Sequence, residues 1–254
     1  EIRLSLVGSE MCIRDRYRVV QTTTVYLFGV AGLVAIQGVW QFGLQVVIMV
    51  GLAMALYGWL LSGRYGNLQI MLLIGIIIGG GLGAISTFMQ RLLTPSEFNV
   101  LAARLFGNVS NADASYLPLA IPLCIAASAL LWMRSRRLNL LALGPDVSRS
   151  LGLDHKRELF IVLFLVAVLM ATSTALVGPM TFLGFLVATL AYQFADTYDH
   201  RLIFPVAVLT AFTILAGAYF VMKNVFYAQG MVSILIELVG GTVFLIVILR
   251  KGRL

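Results

Sequence analysis

Few residues in this chain could carry bond-making chemistry. His155 and His200 sit beside aspartates in different polar segments, without the helical spacing that presents two ligands to one metal. They read as solvated loop residues. Lys156, Lys223 and Lys251 follow His, Met and Arg, so no GxxxxGK[ST] phosphate loop is possible, and the chain is not expected to bind ATP itself. Cys12 and Cys124 have neither a CxxC spacing nor close partners, which leaves no disulfide or metal architecture to assign. Intramembrane hydrolysis would need a nucleophile with a base, yet no apolar run contains histidine and Glu237 is the only carboxylate within one. No catalytic residue and no metal ligand follows from these residues.

Glu237 lies about two turns into the last apolar run, where a charge costs several kcal/mol unless it is paired, hydrated or protonated. Two readings are open: a group lining a polar path or meeting a partner subunit, and a protonated carboxyl bonded to a neighbouring helix. Gly75, Gly79 and Gly83, with Gly80 and Gly81 between them, line one helix face where another backbone can approach, or where packing changes during transport. Gly178-Pro179 suits a tight turn between two apolar runs, with Phe182 and Gly184 within the next helical turns. The polar segment RSRRLNLLALGPDVSRSLGLDHKRE, Arg134 to Glu158, is the most informative. Its Gly144-Pro145-Asp146 supplies a break, a proline for the first helical position and an acid for the first turn, and Gly152 can end the helix. Leu143, Val147 and Leu151 then form an apolar stripe on a helix too short to span, suited to headgroups or to a groove on a partner.

The elements that position these residues follow from composition. The chain has 254 residues, 60% apolar and 11% charged, where a soluble domain has roughly a quarter charged. Mean hydropathy is +0.97. The fold class expected is an all-α polytopic membrane helix bundle in contact with lipid. Its eight expected spans are Thr23 to Val39, Phe42 to Leu61, Leu68 to Gln90, Tyr116 to Met133, Leu159 to Val177, Thr181 to Phe194, Leu202 to Met222 and Met231 to Leu249. The net charge of +7 could suggest nucleic acid, but the cations sit in short loops, as topology determinants do. With the C-terminus inside, Arg18, Arg64, Arg134, Arg136, Arg137, Arg149, Lys156, Arg157, Arg201, Arg250, Lys251 and Arg253 are cytoplasmic. Only Arg91, Arg104 and Lys223 are left outside, which selects that orientation. The outer loop from Arg91 to Ser115 opens with Thr94 and Glu97 in a capping pattern, so a surface helix is expected there.

Residues 1–16, EIRLSLVGSEMCIRDR, have no helical or strand period, and charges interrupt any signal-peptide centre. Leu6 to Asp15 resembles a translated transposase-type sequencing adapter. That implies native sequence from about Arg16 or Tyr17 and an N-terminally truncated transmembrane permease domain over 17–254.

Arg137-Leu-Asn-Leu-Leu-Ala-Leu-Gly144, continuing Pro-Asp-Val-Ser-Arg-Ser-Leu-Gly152, resembles the segment between the sixth and seventh spans of FecCD-type permeases, the membrane subunits of iron-siderophore and cobalamin ABC importers. Gly178-Pro-Met-Thr-Phe-Leu-Gly184 resembles that family's GPxxFxG, Leu105-Phe106-Gly107 its WxxG-like outer segment, and Asp199-His-Arg201 with Pro205 its next cytoplasmic loop. The resemblance implies a fold of about ten spans, of which eight are present. It also implies pairing with a second permease chain, identical or related, in a bacterial cytoplasmic membrane, with substrate delivered by an extracytoplasmic binding protein. ATP-Mg would be bound by a separate ABC ATPase, with no cofactor on this chain. The helix from Gly144 to Leu151 would be the coupling helix, anchored in the ATPase by Leu143, Val147 and Leu151, with Asp146 and Arg149 at its rim. The family's usual PHxxR is replaced by Ala188 to Tyr192, and Glu237 stands where a small residue is common. The function expected is the permease of an ATP-driven ferric-siderophore importer, with Arg91 and Arg104 as candidates for docking the binding protein. An ion-coupled secondary transporter using Glu237 is the alternative.

Overall fold

The computed structural model describes residues 17–20, 39–62, 68–95, 114–224 and 232–251. In chain order, the described residues include the helices α1 Val39–Ser62, α2 Leu68–Arg91, α3 Leu117–Met133, α4 Ser135–Ala142, α5 Pro145–Ser150, α6 His155–Val177, α7 Thr181–Ala195, α8 His200–Asn224 and α9 Val232–Lys251. Seven of the eight expected spans fall within these residues, apart from Met231 at the start of the last, and each is helical. The first, Thr23 to Val39, lies outside them apart from Val39, as do residues 1–16. Pro95 is helical, and the rest of the surface helix expected after Thr94 lies outside the described residues.

Among the described residues, four stretches are long and apolar enough to cross a membrane: Leu73–Arg91, Ala114–Met133, His155–Val177 and His200–Asn224. The 23 residues of α6 rise about 34 Å at 1.5 Å each, enough for a hydrocarbon core of about 30 Å. Local signals set the ends. The Asp154 carboxylate accepts the Arg157 backbone N–H at 3.3 Å and caps α6. At its other end Gly178, with φ 89°, donates its N–H to the Thr174 carbonyl at 2.9 Å.

Packing inverts the pattern of a water-soluble core. Ala120, Ala127, Ala167, Ala171, Ala191 and Ala218 are buried, whereas Leu44, Ile77, Ile125, Val208 and Phe212 are exposed. Small residues between helices and large apolar ones outside suit a bundle solvated by lipid. The α6 helix packs against α1 and α3, and α7 packs between α8 and α9. One cluster joins Phe42, Val46 and Met49 of α1 to Ala120 and Ala171. A second joins Ala127 and Leu131 to Leu165, with Phe204 of α8 against them. A third joins Ala218, Val232 and Ile236.

Threonines within the spans satisfy their hydroxyls locally. Thr172, Thr189 and Thr210 donate to the carbonyls of Val168, Phe185 and Val206 at 2.7, 2.9 and 2.7 Å. Thr213 and Thr242 donate to Leu209 and Leu238 at 2.8 and 2.7 Å.

The segment from Arg134 to Glu158 departs from expectation. It holds two helices, not one, because the chain turns once at Arg134 and re-enters a helix over Ser135–Ala142 before the expected short helix begins. Leu138, Asn139, Leu140 and Leu141 are half-buried while Arg136 and Arg137 stay exposed, so α4 is held by neighbours on more than one side.

Candidate functional site

The short helix α5 forms where glycine, proline and charge placement require it. Gly144 has φ 100°, Pro145 follows at the first helical position, Asp146 lies in the first turn and Arg149 in the last. Gly152, with φ 79°, closes it and donates its N–H to the Arg149 carbonyl at 2.9 Å. The expected stripe faces outward: Leu143 is 58% exposed, Val147 46% and Leu151 58%. Asp146 and Arg149 are exposed beside it.

The opposite side of α5 is tied down. Ser148 is fully buried, and its hydroxyl donates to the Pro145 carbonyl at 3.1 Å. With that proton committed, the Nδ1–H of His155, 2.8 Å away, donates to the Ser148 oxygen. His155 is therefore not a solvated loop residue, as its sequence context suggests; it is buried at the first turn of α6.

Two further junctions hold the neighbouring α4. Glu158, buried in the first turn of α6, receives Arg134 Nη1 on Oε2 at 2.7 Å and Arg137 Nη1 on Oε1. Two guanidinium groups thus compensate one buried carboxylate, which also lies at the positive end of its helix. Asn139 Nδ2 donates to Asp199 Oδ1 at 2.8 Å. Its Oδ1 accepts the backbone N–H of His200 at 3.1 Å and His200 Nδ1–H at 2.5 Å. His200 too is a helix-end residue with a fixed partner, which corrects the solvated reading. Glu158, Asn139 and Ser148 were not singled out in the sequence; the only trace was Arg134 and Arg137 three apart, on one helix face.

The remaining candidates lie elsewhere. Gly178 forms the α6–α7 turn with Pro179 buried behind it, while Phe182 and Gly184 are half-buried on α7. Phe182 lies against Gly240 of α9, where a Cβ would come 2.8 Å from the Phe182 Cβ. Gly240 is the close-approach glycine that sequence reasoning missed, since its partner lies 58 positions away in the chain. Glu237 is one turn from it, on the exposed face of α9 with Ile234 and Leu238. On α2, Gly79 is buried and Gly83 half-buried, and Gly83 accepts the Thr87 hydroxyl at 2.9 Å. A Cβ at Gly75, Gly80 or Gly81 would meet nothing within 4 Å, so among the described residues no second backbone closes on those three. Arg91 is exposed at the end of α2, and Arg104 lies outside the described residues.

Residues 18–250 match the FecCD transport family. The chain is 54% identical over 250 residues to the petrobactin import system permease protein FatC of Bacillus anthracis, covering 98% of this chain and 70% of that one. It is 32% identical to the petrobactin import system permease protein YclO of Bacillus subtilis, covering 98% and 79%. The permease protein FatD of the Bacillus anthracis petrobactin import system is 29% identical, over 71% of this chain and 53% of its own. In fold, the chain resembles an inward-facing metal-chelate type ABC transporter with a TM-score of 0.80 at 20% identity, over 98% of this chain and 82% of that one. A helical bundle with outward-facing leucines, a short outward-facing helix framed by polar junctions and a family match over nearly the whole length agree: this chain is a multi-pass membrane permease and belongs to the FecCD transport family.

Proposed function

We propose that the chain is the membrane-spanning subunit of an ATP-driven importer of ferric siderophores of the petrobactin class. The observation that carries this reading is the pairing of family membership with an outward apolar stripe on a helix whose other side is anchored in the bundle. A helix of six residues cannot hold a groove on its own propensity, so its preformed, anchored state favours docking by lowering the ordering cost. Leu143, Val147 and Leu151 enter a groove of a separate ABC ATPase, and Asp146 and Arg149 meet polar groups at its edge. ATP-Mg is bound and hydrolysed by that partner, and closure of the ATPase pair displaces α5 and exchanges outward for inward opening.

The substrate class rests on the names of FatC and YclO. Because FatC and FatD are two permease proteins named for one import system, a related but different second permease chain is the favoured partner. The C-terminus and the α4–α5 segment lie on the cytoplasmic side of a bacterial cytoplasmic membrane, in keeping with the basic residues gathered there. An extracytoplasmic binding protein delivers the substrate, with Arg91 within its reach. Proteoliposomes containing both permease chains and the ATPase are the test. Uptake of ferric petrobactin that requires ATP inside the vesicle-equivalent cytoplasmic space and binding protein on the other side supports the reading; uptake driven by a proton gradient without ATP overturns it.

A further inference from the structure

We propose that α4 is the arm that carries α5's displacement into the membrane, with Glu158 and Asn139 as its positioning residues; this rests on the importer reading above. Arg137 and Asn139 are two positions apart, about 200° around a helix at about 100° per residue, so they leave α4 on opposite sides. One side grips α6: Arg134 and Arg137 both close on Glu158. The other side grips α8: Asn139 holds Asp199 and both donors of His200. The α4 helix is therefore wedged between the first turns of two spans.

Those two spans lie mainly against different neighbours, although Phe204 of α8 also rests on the α3–α6 cluster. The α6 helix packs on α1 and α3, and α8 packs on α7, which packs on α9. Meanwhile α5 is bonded to α6 through Ser148 and His155 and joined to α4 by Leu143 and Gly144. A push on α5 reaches α6 directly; it reaches α8 through the directional bonds of α4, beside the apolar contact of Phe204 with the α3–α6 cluster. Without that wedge, α6 could yield while α8 stayed, and ATP would be hydrolysed without the two spans moving together.

The interaction at Asn139 can be inverted at the cost of one bond, the Arg201 backbone N–H that Asp199 Oδ1 also accepts at 3.1 Å. In Asn139→Asp a carboxylate faces the Asp199 carboxylate, and adding Asp199→Asn restores one donor between two acceptors while His200 still donates to position 139. The experiment measures ATP hydrolysis and binding-protein-dependent uptake of ferric petrobactin in the same proteoliposomes, with co-purification of the ATPase as the assembly control. Asn139→Asp and Glu158→Gln are expected to keep the ATPase bound and hydrolysis within about twofold, while substrate moved per ATP falls about tenfold, inside the roughly 5–150-fold range of couplings between sites. The double variant Asn139→Asp with Asp199→Asn is expected to recover uptake per ATP to within about twofold of wild type.

A purely structural role predicts that hydrolysis and uptake fall together, so an unchanged ratio in Asn139→Asp overturns the proposal. Absence of rescue in the double variant overturns it as well, even where Glu158→Gln fails to assemble. Failure of the wild-type chain to bind any ATPase would instead remove the importer reading, and the proposal with it.

Discussion

The outward stripe of α5 makes a quantitative prediction about ATPase affinity. Burying a valine or leucine side chain completely is worth about 1.5–3 kcal/mol. Leu143, Val147 and Leu151 are 58%, 46% and 58% exposed before docking, so roughly half of each value remains to be gained. The three together amount to about 2.5–5 kcal/mol, and a midpoint near ~3.7 kcal/mol corresponds to about 500-fold in dissociation constant. Leu151→Ala alone should weaken binding by about fivefold, near 1 kcal/mol. Leu151→Asp should weaken it further, because a carboxylate must then be stripped of water in an apolar groove. The permease itself should melt unchanged, since these side chains touch little within the chain, and Asp146→Asn at the rim should alter affinity by no more than about twofold. Fluorescence titration of labelled ATPase against the permease in nanodiscs measures the series. Equal affinity for wild type and Leu151→Asp would refute the assignment of this stripe to the ATPase groove.

Other outcomes follow from single contacts. Gly240→Ala should destabilise the α7–α9 pair by about 1–3 kcal/mol, seen as a lower melting temperature in detergent. Phe182→Ala should not rescue it, because the atom in the way is the Phe182 Cβ. Gly144→Ala, at φ 100°, should cost about 1–2 kcal/mol of local strain and impair ATPase binding, whereas Gly152→Asn at φ 79° should be tolerated better than Gly152→Ala. Glu237→Gln should leave ATP-driven uptake independent of an imposed proton gradient; gradient-driven uptake in wild type that disappears in this variant would revive ion coupling.

Legibility in the sequence followed the range of the interactions. Charge-free runs set the spans, since hydrocarbon admits few other solutions for the backbone, and the glycines and proline around α5 announced it because helix ends are local. The α4 helix was hidden by its own polarity: Ser135-Arg136-Arg137 reads as loop until the partners of those arginines are known. Glu158 lies 24 and 21 residues from its two arginines, and Asn139 lies 61 from His200. The two histidines were misread for the same reason, since a flanking aspartate suggests solvent while the actual partners are Ser148 and Asn139. The α2 glycines were read for close packing, yet Gly75, Gly80 and Gly81 face open space within the described residues, so what meets them is not encoded locally.

The threonine hydroxyls of the spans bond to carbonyls of their own helices. Thr172, Thr189, Thr210, Thr213 and Thr242 therefore ask nothing of the helix beside them. Sliding one span past another by an ångström or two exchanges dispersion contacts between alanines and leucines, which vary smoothly with position, and breaks none of these hydrogen bonds. Among the described residues, directional side-chain bonds between elements are instead found at the arginine-rich end around Glu158 and Asn139. A bundle arranged this way behaves as a set of smooth rods clamped at one end: the clamp defines the pivot, and displacement grows with distance from it. Relative to that clamp, the widest excursions should thus occur at the opposite end of the bundle.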